Sequence, residues 1–187
     1  MNFMRVTDWY QYIIQNYTTK DGLYIDATMG NGNDTLFLCE LSGENGHVIA
    51  FDIQKIAIEN TTKLLVEKNC YEKATLVLDG HQHMDKYADK ESVDVICFNF
   101  GYLPGGDHKI ATKPETSVEA IKKGLVLLKH NAIMSLCLYS GGDTGYEEKK
   151  QIMNYLNSLS VQDYNIIFCQ FMNRKKDPPC PVFIFKR

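Results

Sequence analysis

"YIDATMGNGNDT", residues 24–35, runs from an apolar strand into a turn of glycine, asparagine and aspartate, then opens into the helical "LFLCEL". A strand passing through such a turn into a helix is the opening unit of an open α/β sheet, and the turn is where those sheets hold ligands. Gly30 and Gly32 reach backbone angles closed to other residues and let a ligand approach the main chain. Asn33 or Asp34 is placed to cap the helix, whose first N–H groups lack partners. The dinucleotide pattern G-x-G-x-x-G is broken, because its third glycine position is Thr35, and no Gly-Lys-Ser/Thr of a phosphate loop follows. Asp26 precedes the glycines and Asp34 starts the helix, a poor setting for a pyrophosphate and a good one for a cation. The turn therefore fits a positively charged ligand without phosphate.

Outward from this unit the pattern alternates. Residues 5–17 predict a helix, with Val6, Trp9, Tyr10, Ile13 and Ile14 at helical spacing. "GHVIAFD" predicts a second strand and "IQKIAIENTTKLLVEKN" a helix whose apolar face holds Ile53, Ile56, Ala57, Leu64 and Leu65. "ATLVLD" and "SVDVICFNF" read as the third and fourth strands, and "GYLPGGDHKIATKP" as a loop longer than a connection needs. A helix at about 115–129 follows, with Thr116 and Glu119 at capping-box spacing and Pro114 and Ser117 as competing starts. "NAIMSLCLYS" is the fifth strand, "GGDTG" a turn, and "YEEKKQIMNYLNSL" a helix. "YNIIFCQF" and "PVFIFKR" end the chain as two strands with no helix between them, hence antiparallel. The expected fold is α/β, a Rossmann-like, seven-stranded, mostly parallel sheet with the last strand antiparallel and helices on both faces. We read residues 1–187 as a single domain, residues 1–20 being its N-terminal helical segment.

Composition narrows the class. A chain of 187 residues, 44% hydrophobic and 23% charged, is large enough for a sizeable core without staples. The apolar run "AIMSLCLY" is too short to cross a bilayer, so no membrane partner is expected, and the N-terminus lacks the apolar stretch of a signal peptide. The six cysteines are scattered without a C-x-x-C pair, as in reduced core thiols of a cytoplasmic protein. His81 and His83 alone do not make a metal site, and none is expected. A net charge of −3 gives no bulk electrostatic case for nucleic acid.

Acids recur at the strand ends. Asp52 ends the second strand, where a carboxylate accepts hydrogen bonds from ribose hydroxyls, and Asp79 ends the third, where a side chain meets an adenine edge. Asp26, Gly30, Gly32, Asp52 and Asp79, in that order, resemble the class I S-adenosylmethionine-dependent methyltransferases. The resemblance implies S-adenosylmethionine as cofactor, its sulfonium and ammonium charges answering the carboxylates. It assigns Asp26, Thr28, Gly30, Asn31, Gly32, Asn33, Asp34 and Thr35 to the methionine end. Asp52 falls to the ribose and the third strand end, at Asp79, to the adenine, with Ile53, Gln54, Gly80, His81 and Asn99 completing the cofactor-binding set. More narrowly, "IDATMGNGNDT", "FDIQ", "DGHQHM", "NFGYLPGGDH" and "NRKKDPP" together look like the small bacterial family labelled rRNA methylases, of the YtqB/MnmM type. That resemblance implies methylation of the aminomethyl group of the tRNA wobble base 5-aminomethyl-2-thiouridine, and the tRNA anticodon loop as partner.

"NFGYLPGGDH" follows the fourth strand, and Asn99-x-x-Tyr102 is similar to the N-P-P-Y motif of amino-group methyltransferases, with Phe100 and Gly101 replacing the prolines. In that motif the Asn side chain holds the amine and the aromatic packs on the base. An alkyl amine is mostly protonated at neutral pH, its lysine analogue having a pKa of about 10.4, so a proton acceptor helps, and Asp107 and His108 are candidates by proximity. Arg174, Lys175 and Lys176 are placed to meet phosphates, and Tyr102, Tyr139 or Phe171 to stack on an extruded base. Lys109, Lys113, Lys122 and Lys123 extend a basic rim. Methylation of rRNA, a small molecule or a protein, and non-catalytic nucleotide binding, stay open as alternatives, as do a monomer and a homodimer.

Overall fold

The computed structural model describes residues 5–101, 103, 112–140, 142–174 and 178–187, with the backbone alone at 142–144. A seven-stranded sheet is built from β1 (Leu23–Asp26), β2 (His47–Asp52), β3 (Ala74–Leu78), β4 (Val93–Asn99), β5 (Leu128–Leu138), β6 (Tyr164–Phe168) and β7 (Cys180–Lys186). Its order is β3-β2-β1-β4-β5-β7-β6. All pairings are parallel except those of β7, which runs antiparallel to both β5 and β6. The last strand thus inserts between β5 and the edge strand β6, and its antiparallel pairing with β6 follows from the absence of a crossover helix between them.

The sheet is covered on both faces because its central strands carry apolar residues on both faces. Tyr24, Val95 and Cys97 pack in one core with Tyr10 and Ile14 of α1 (Val6–Tyr17), Leu38 of α2 (Asn33–Leu41) and Leu65 of α3 (Lys55–Glu67). Their alternate neighbours Ile25, Ile96 and Phe98 face the other core, with Ala120 and Ile121 of α4 (Pro114–Leu127) and Ile152 and Leu156 of α5 (Gly142–Asn157). This period-two division of a strand between two cores is what a doubly covered sheet demands. The chain winds from β1 outward to β3 and returns to β4 on β1's other side. The topological switch, where open sheets bind ligands, therefore lies between the carboxyl ends of β1 and β4.

Local boundaries differ from the sequence reading. α3 starts at Lys55, and Ile53 and Ile56 are exposed, its buried face being Ala57, Thr61 and Leu65. α4 starts with Pro114 in its first turn, where a missing N–H costs nothing, so Thr116 and Glu119 form no capping box. α5 starts at Gly142, inside the expected turn, since packing outweighs weak local propensity.

Candidate active site

Hydrogen bonds tie β1 to β4 across the switch. Ala27 N–H donates to Cys97 O at 2.8 Å, and Asn99 N–H donates to Thr28 Oγ1 at 2.6 Å. Asp26 lies beneath, 1% exposed, accepting from Thr28 N–H at 3.1 Å and from the Thr35 hydroxyl at 2.7 Å. Burial, reinforced by the Asp34 charge, pushes the Asp26 carboxyl well above the usual carboxylate range, while the Thr35 and Thr28 donors pull it down. Thr35 is fully buried, so any part it takes in binding runs through Asp26.

Asp34 does not cap α2. The N-cap is Gly32, in the left-handed region at φ 82°, without a side-chain cap bond. The carboxylate turns instead to two other elements. Its Oδ1 accepts from the Tyr10 hydroxyl at 2.5 Å and from Gln11 Nε2 at 3.3 Å, and its Oδ2 accepts from Asn99 Nδ2 at 3.3 Å. Asn99 Oδ1 is buried and has no hydrogen-bond partner among the described residues. The amide orientation follows from charge, since the reverse would set Oδ1 against the carboxylate. A groove of about 490 Å³ between α1 and α2 opens onto Asp34 and Asn99, with Asp8 and Glu40 in its lining.

Asp52 organises the turn from the other side. Its Oδ2 accepts from Gly30 N–H at 3.0 Å and its Oδ1 from Gln54 N–H at 2.9 Å. Burial raises its carboxyl above the ordinary value, and the backbone N–H donors of Gln54, Gly30 and Ile53 oppose that shift. Gly30 also needs the left-handed region, at φ 54°. A Cβ on Gly32 would stand 2.7 Å from Thr61 Oγ1, and Thr61 in turn donates to Gly30 O at 3.2 Å. Asn31 Oδ1 accepts from Asn60 Nδ2 at 3.0 Å, and Asn33 is exposed at the start of α2. Ile53 is 60% exposed, an apolar side chain bare beside Asp52.

The end of β3 is more self-contained than expected. Asp79 accepts from His83 Nδ1 at 2.8 Å and Gly80 N–H at 2.7 Å on Oδ1, and from the Tyr87 hydroxyl at 3.3 Å on Oδ2. The His83 hydrogen bond leads the effects that hold its carboxyl below the usual range. Next to the buried Gly80, His81 joins Ala27 O through Nδ1 at 3.2 Å and meets the Phe98 ring edge-on at 5.8 Å. Burial pushes its imidazole down to about 4, so it is neutral at physiological pH, with Nδ1 as donor to the carbonyl.

The structure thus brings Asp26, Thr28, Asp34, Thr35 and Asn99 together at the switch, and Gly30, Asp52 and Gln54 beside it. Tyr139 follows β5, 38% exposed, and Arg174 stacks on the Phe171 ring at 4.1 Å. Tyr102, Asp107, His108, Lys109, Lys175 and Lys176 lie outside the described residues. The expected basic rim is corrected at Lys123, which pairs with Asp85 and Glu119 and donates to Gln82 O, while Lys122 stays exposed, over the Tyr155 ring. Among the described residues no three His, Cys, Asp or Glu side chains group to hold a metal ion. All six cysteines are free thiols.

Tyr10, Gln11, Asn60 and Thr61 belong to this constellation and escaped the sequence reading. Tyr10 carried a signal, since a buried tyrosine on an apolar helix stripe must find a partner for its hydroxyl. Glu148 escaped as well. It is 4% exposed and accepts from the hydroxyls of Thr112 at 2.8 Å and Ser117 at 2.6 Å, while Thr112 and Gly101 exchange two hydrogen bonds, both 3.0 Å. Both ends of the 101–112 loop are thereby fixed to each other and to α5.

Chemically, carboxylates at three successive strand ends suit a cationic ligand with hydroxyls. The orphaned Asn99 Oδ1 asks for an N–H or O–H donor at the end of β4. Comparison with known proteins agrees. A family model described as "Putative rRNA methylase" matches residues 48–185. The chain is 35% identical over 195 residues to the tRNA (mnm(5)s(2)U34)-methyltransferase, chloroplastic, of Arabidopsis thaliana, covering 98% of this chain and 70% of that protein. The crystal structure of a Clostridium thermocellum protein of the same rRNA-methylase description superposes with a TM-score of 0.96 at 42% identity, covering 100% of both chains. A Streptococcus mutans "putative methyltransferase", solved in complex with SAH, superposes with a TM-score of 0.89 at 34% identity over 99% of each chain.

Proposed function

Because the chain belongs to the "Putative rRNA methylase" family, we propose that it N-methylates the aminomethyl group of 5-aminomethyl-2-thiouridine at the tRNA wobble position. It is an S-adenosylmethionine-dependent methyltransferase. The name of the Arabidopsis relative assigns that protein to U34 of tRNA. One observation in this chain carries the amine reading. Asn99 Oδ1 is a buried acceptor without a partner among the described residues, at the end of the strand beside the switch. Leaving such an atom unmade costs about 1–3 kcal/mol, and an amine N–H from the substrate satisfies it.

The residues present fit the cofactor. Asp52 would hold the ribose, Ile53 and His81 would flank the base, and the acidic turn around Asp26 and Asp34 would face the charged methionine end. When bound, the cofactor supplies a methyl group on a sulfonium, open to in-line attack by an amine lone pair. Asn99 aligns the amine, and Asp107 or His108 takes the proton that the aminium must lose before attack. Tyr102 and Tyr139 stack on the extruded base, and Arg174, Lys175 and Lys176 meet phosphates. An anticodon loop suits this site because its unpaired bases enter a pocket without melting a helix. We take residues 1–187 as one domain, monomeric or homodimeric, and place the reaction in the cytoplasm, which six free thiols suit.

The test is transfer of labelled methyl to tRNA that carries the aminomethyl group unmethylated, with mass spectrometry of the wobble nucleoside. One added methyl at that nucleoside is expected. Transfer to ribosomal RNA with none to tRNA would overturn the substrate assignment in favour of the reaction the family description names.

A further inference from the structure

α1 reaches the reacting end of the site through one buried hydroxyl. Tyr10 is 4% exposed and donates to Asp34 Oδ1 at 2.5 Å, while Asp34 Oδ2 takes the Asn99 Nδ2 donor at 3.3 Å. Gln11 adds a second donor to Oδ1 at 3.3 Å. With Oδ1 occupied from α1, Oδ2 is the oxygen left to face Asn99. We propose that Tyr10 is a positioning residue which, acting through Asp34, holds the Asn99 amide with its oxygen, and not its NH2 group, turned to the methyl acceptor.

The distinction matters chemically. An amide oxygen accepts an N–H of a neutral amine and leaves the nitrogen lone pair directed at the methyl carbon. A flipped amide would donate an N–H to that lone pair and block attack. The carboxylate at position 34 enforces the productive orientation, because it accepts from NH2 and repels a carbonyl oxygen. Tyr10 fixes the carboxylate in turn. The inference rests on the amine reading above for its catalytic consequence, and on the Tyr10–Asp34–Asn99 chain alone for its structural part.

The experiment has two arms. Without any substrate, the Asn99 side-chain NH2 signal in an NMR spectrum, identified by its loss in Asn99→Ser, should exchange with solvent about tenfold faster in Tyr10→Phe than in the parent, as expected for a weakened hydrogen bond. With tRNA, Tyr10→Phe should lower kcat about tenfold with KM and S-adenosylmethionine affinity within about twofold, and it should add nothing in an Asn99→Ser background. Asp34→Asn, which removes the orienting charge without changing size, should lower kcat further. Unchanged amide exchange in Tyr10→Phe would overturn the proposal, and so would additive losses in the double variant or a fall in cofactor affinity that accounts for the fall in kcat. A parent enzyme that methylates no tRNA would sink the amine reading and leave the amide-exchange arm standing as the test of the chain itself.

Discussion

The N–H of Gly30 donates to Asp52 Oδ2 at 3.0 Å, so the turn after β1 is fastened to the end of β2. Asp52 Oδ2 takes the Gly30 N–H and Oδ1 the Gln54 N–H, and a carboxylate, with about four acceptor sites, keeps capacity for a further donor. Asp52 therefore shapes the turn after β1 while it presents a carboxylate where we propose that the ribose binds. Asp52→Asn keeps the volume and removes the charge that strengthens these bonds. Calorimetry should show about tenfold weaker binding, near 1.4 kcal/mol, for S-adenosylmethionine and SAH alike. Loss confined to S-adenosylmethionine would mean that Asp52 faces the sulfonium and not the ribose.

The two turn glycines should respond unequally to alanine. Both have positive φ, which costs a residue with a Cβ about 1–2 kcal/mol. At Gly30 the nearest atom to a new Cβ is Leu103 Cδ1 at 3.4 Å, whereas at Gly32 it is Thr61 Oγ1 at 2.7 Å, with Thr61 Cα at 3.0 Å. Thermal unfolding should place Gly32→Ala several degrees below Gly30→Ala, since about 1 kcal/mol shifts Tm by about 2–4 °C at this size. Equal melting temperatures would contradict the packing of Thr61 against the turn.

Asp26 carries a pH signature of definite sign. Its folded pKa is raised by burial and by Asp34, so its contribution to stability is fullest below the ordinary carboxylate value and is lost as pH rises through the raised one. Asp26→Asn removes that buried charge. The variant should melt higher than the parent at pH 8, by about 2–4 °C for each kcal/mol relieved, and the gap should close toward pH 4. Cofactor affinity should fall in the same variant. A gap that widens on acidification would refute the account of Asp26.

His81 should stay neutral well below the ordinary imidazole range, its pKa depressed by burial to about 4. A depressed histidine favours the fold above its unfolded value of 6.5, and that contribution is lost as pH falls toward the folded one. NMR titration of the ring should give flat shifts between pH 8 and about pH 5. A midpoint near 6.5 would show that the ring is solvated and free of Ala27 O.

Arg174, stacked on Phe171, tests the proposed RNA surface separately from the cofactor site. Arg174→Ala should weaken tRNA binding about twofold to fivefold and make the log–log salt dependence shallower by about 0.7, the slope of one phosphate contact to a single strand. Cofactor titrations should be unchanged. An unaltered salt slope would remove Arg174 from the phosphate contacts.

The elements of the fold were legible because each is encoded locally. Tyr24–Asp26 and Val95–Phe98 read as buried strands from composition alone, and the two final strands without a helix between them gave the one antiparallel strand. Ends were less legible. Ile53 and Ile56 extend the apolar pattern of α3 but lie exposed, because periodicity marks apolar positions without telling which of them the fold covers. The insertion of β7 between β5 and β6 is a pairing choice between distant segments, and no local pattern specifies it.

In the site, the sequence by itself determined the acids and glycines at the strand ends, because chain order fixes which residues follow each strand. Those residues sufficed to point to a cationic nucleoside ligand. Tertiary structure alone decided what each acid does: Asp26 is buried beneath the turn, Asp34 is turned away from the helix cap toward Tyr10 and Asn99, and Asp79 is engaged by His83 and Tyr87. The physical reason is distance along the chain. Asp34 meets partners 24 and 65 residues away, and only the folded sheet brings such groups within hydrogen-bond reach.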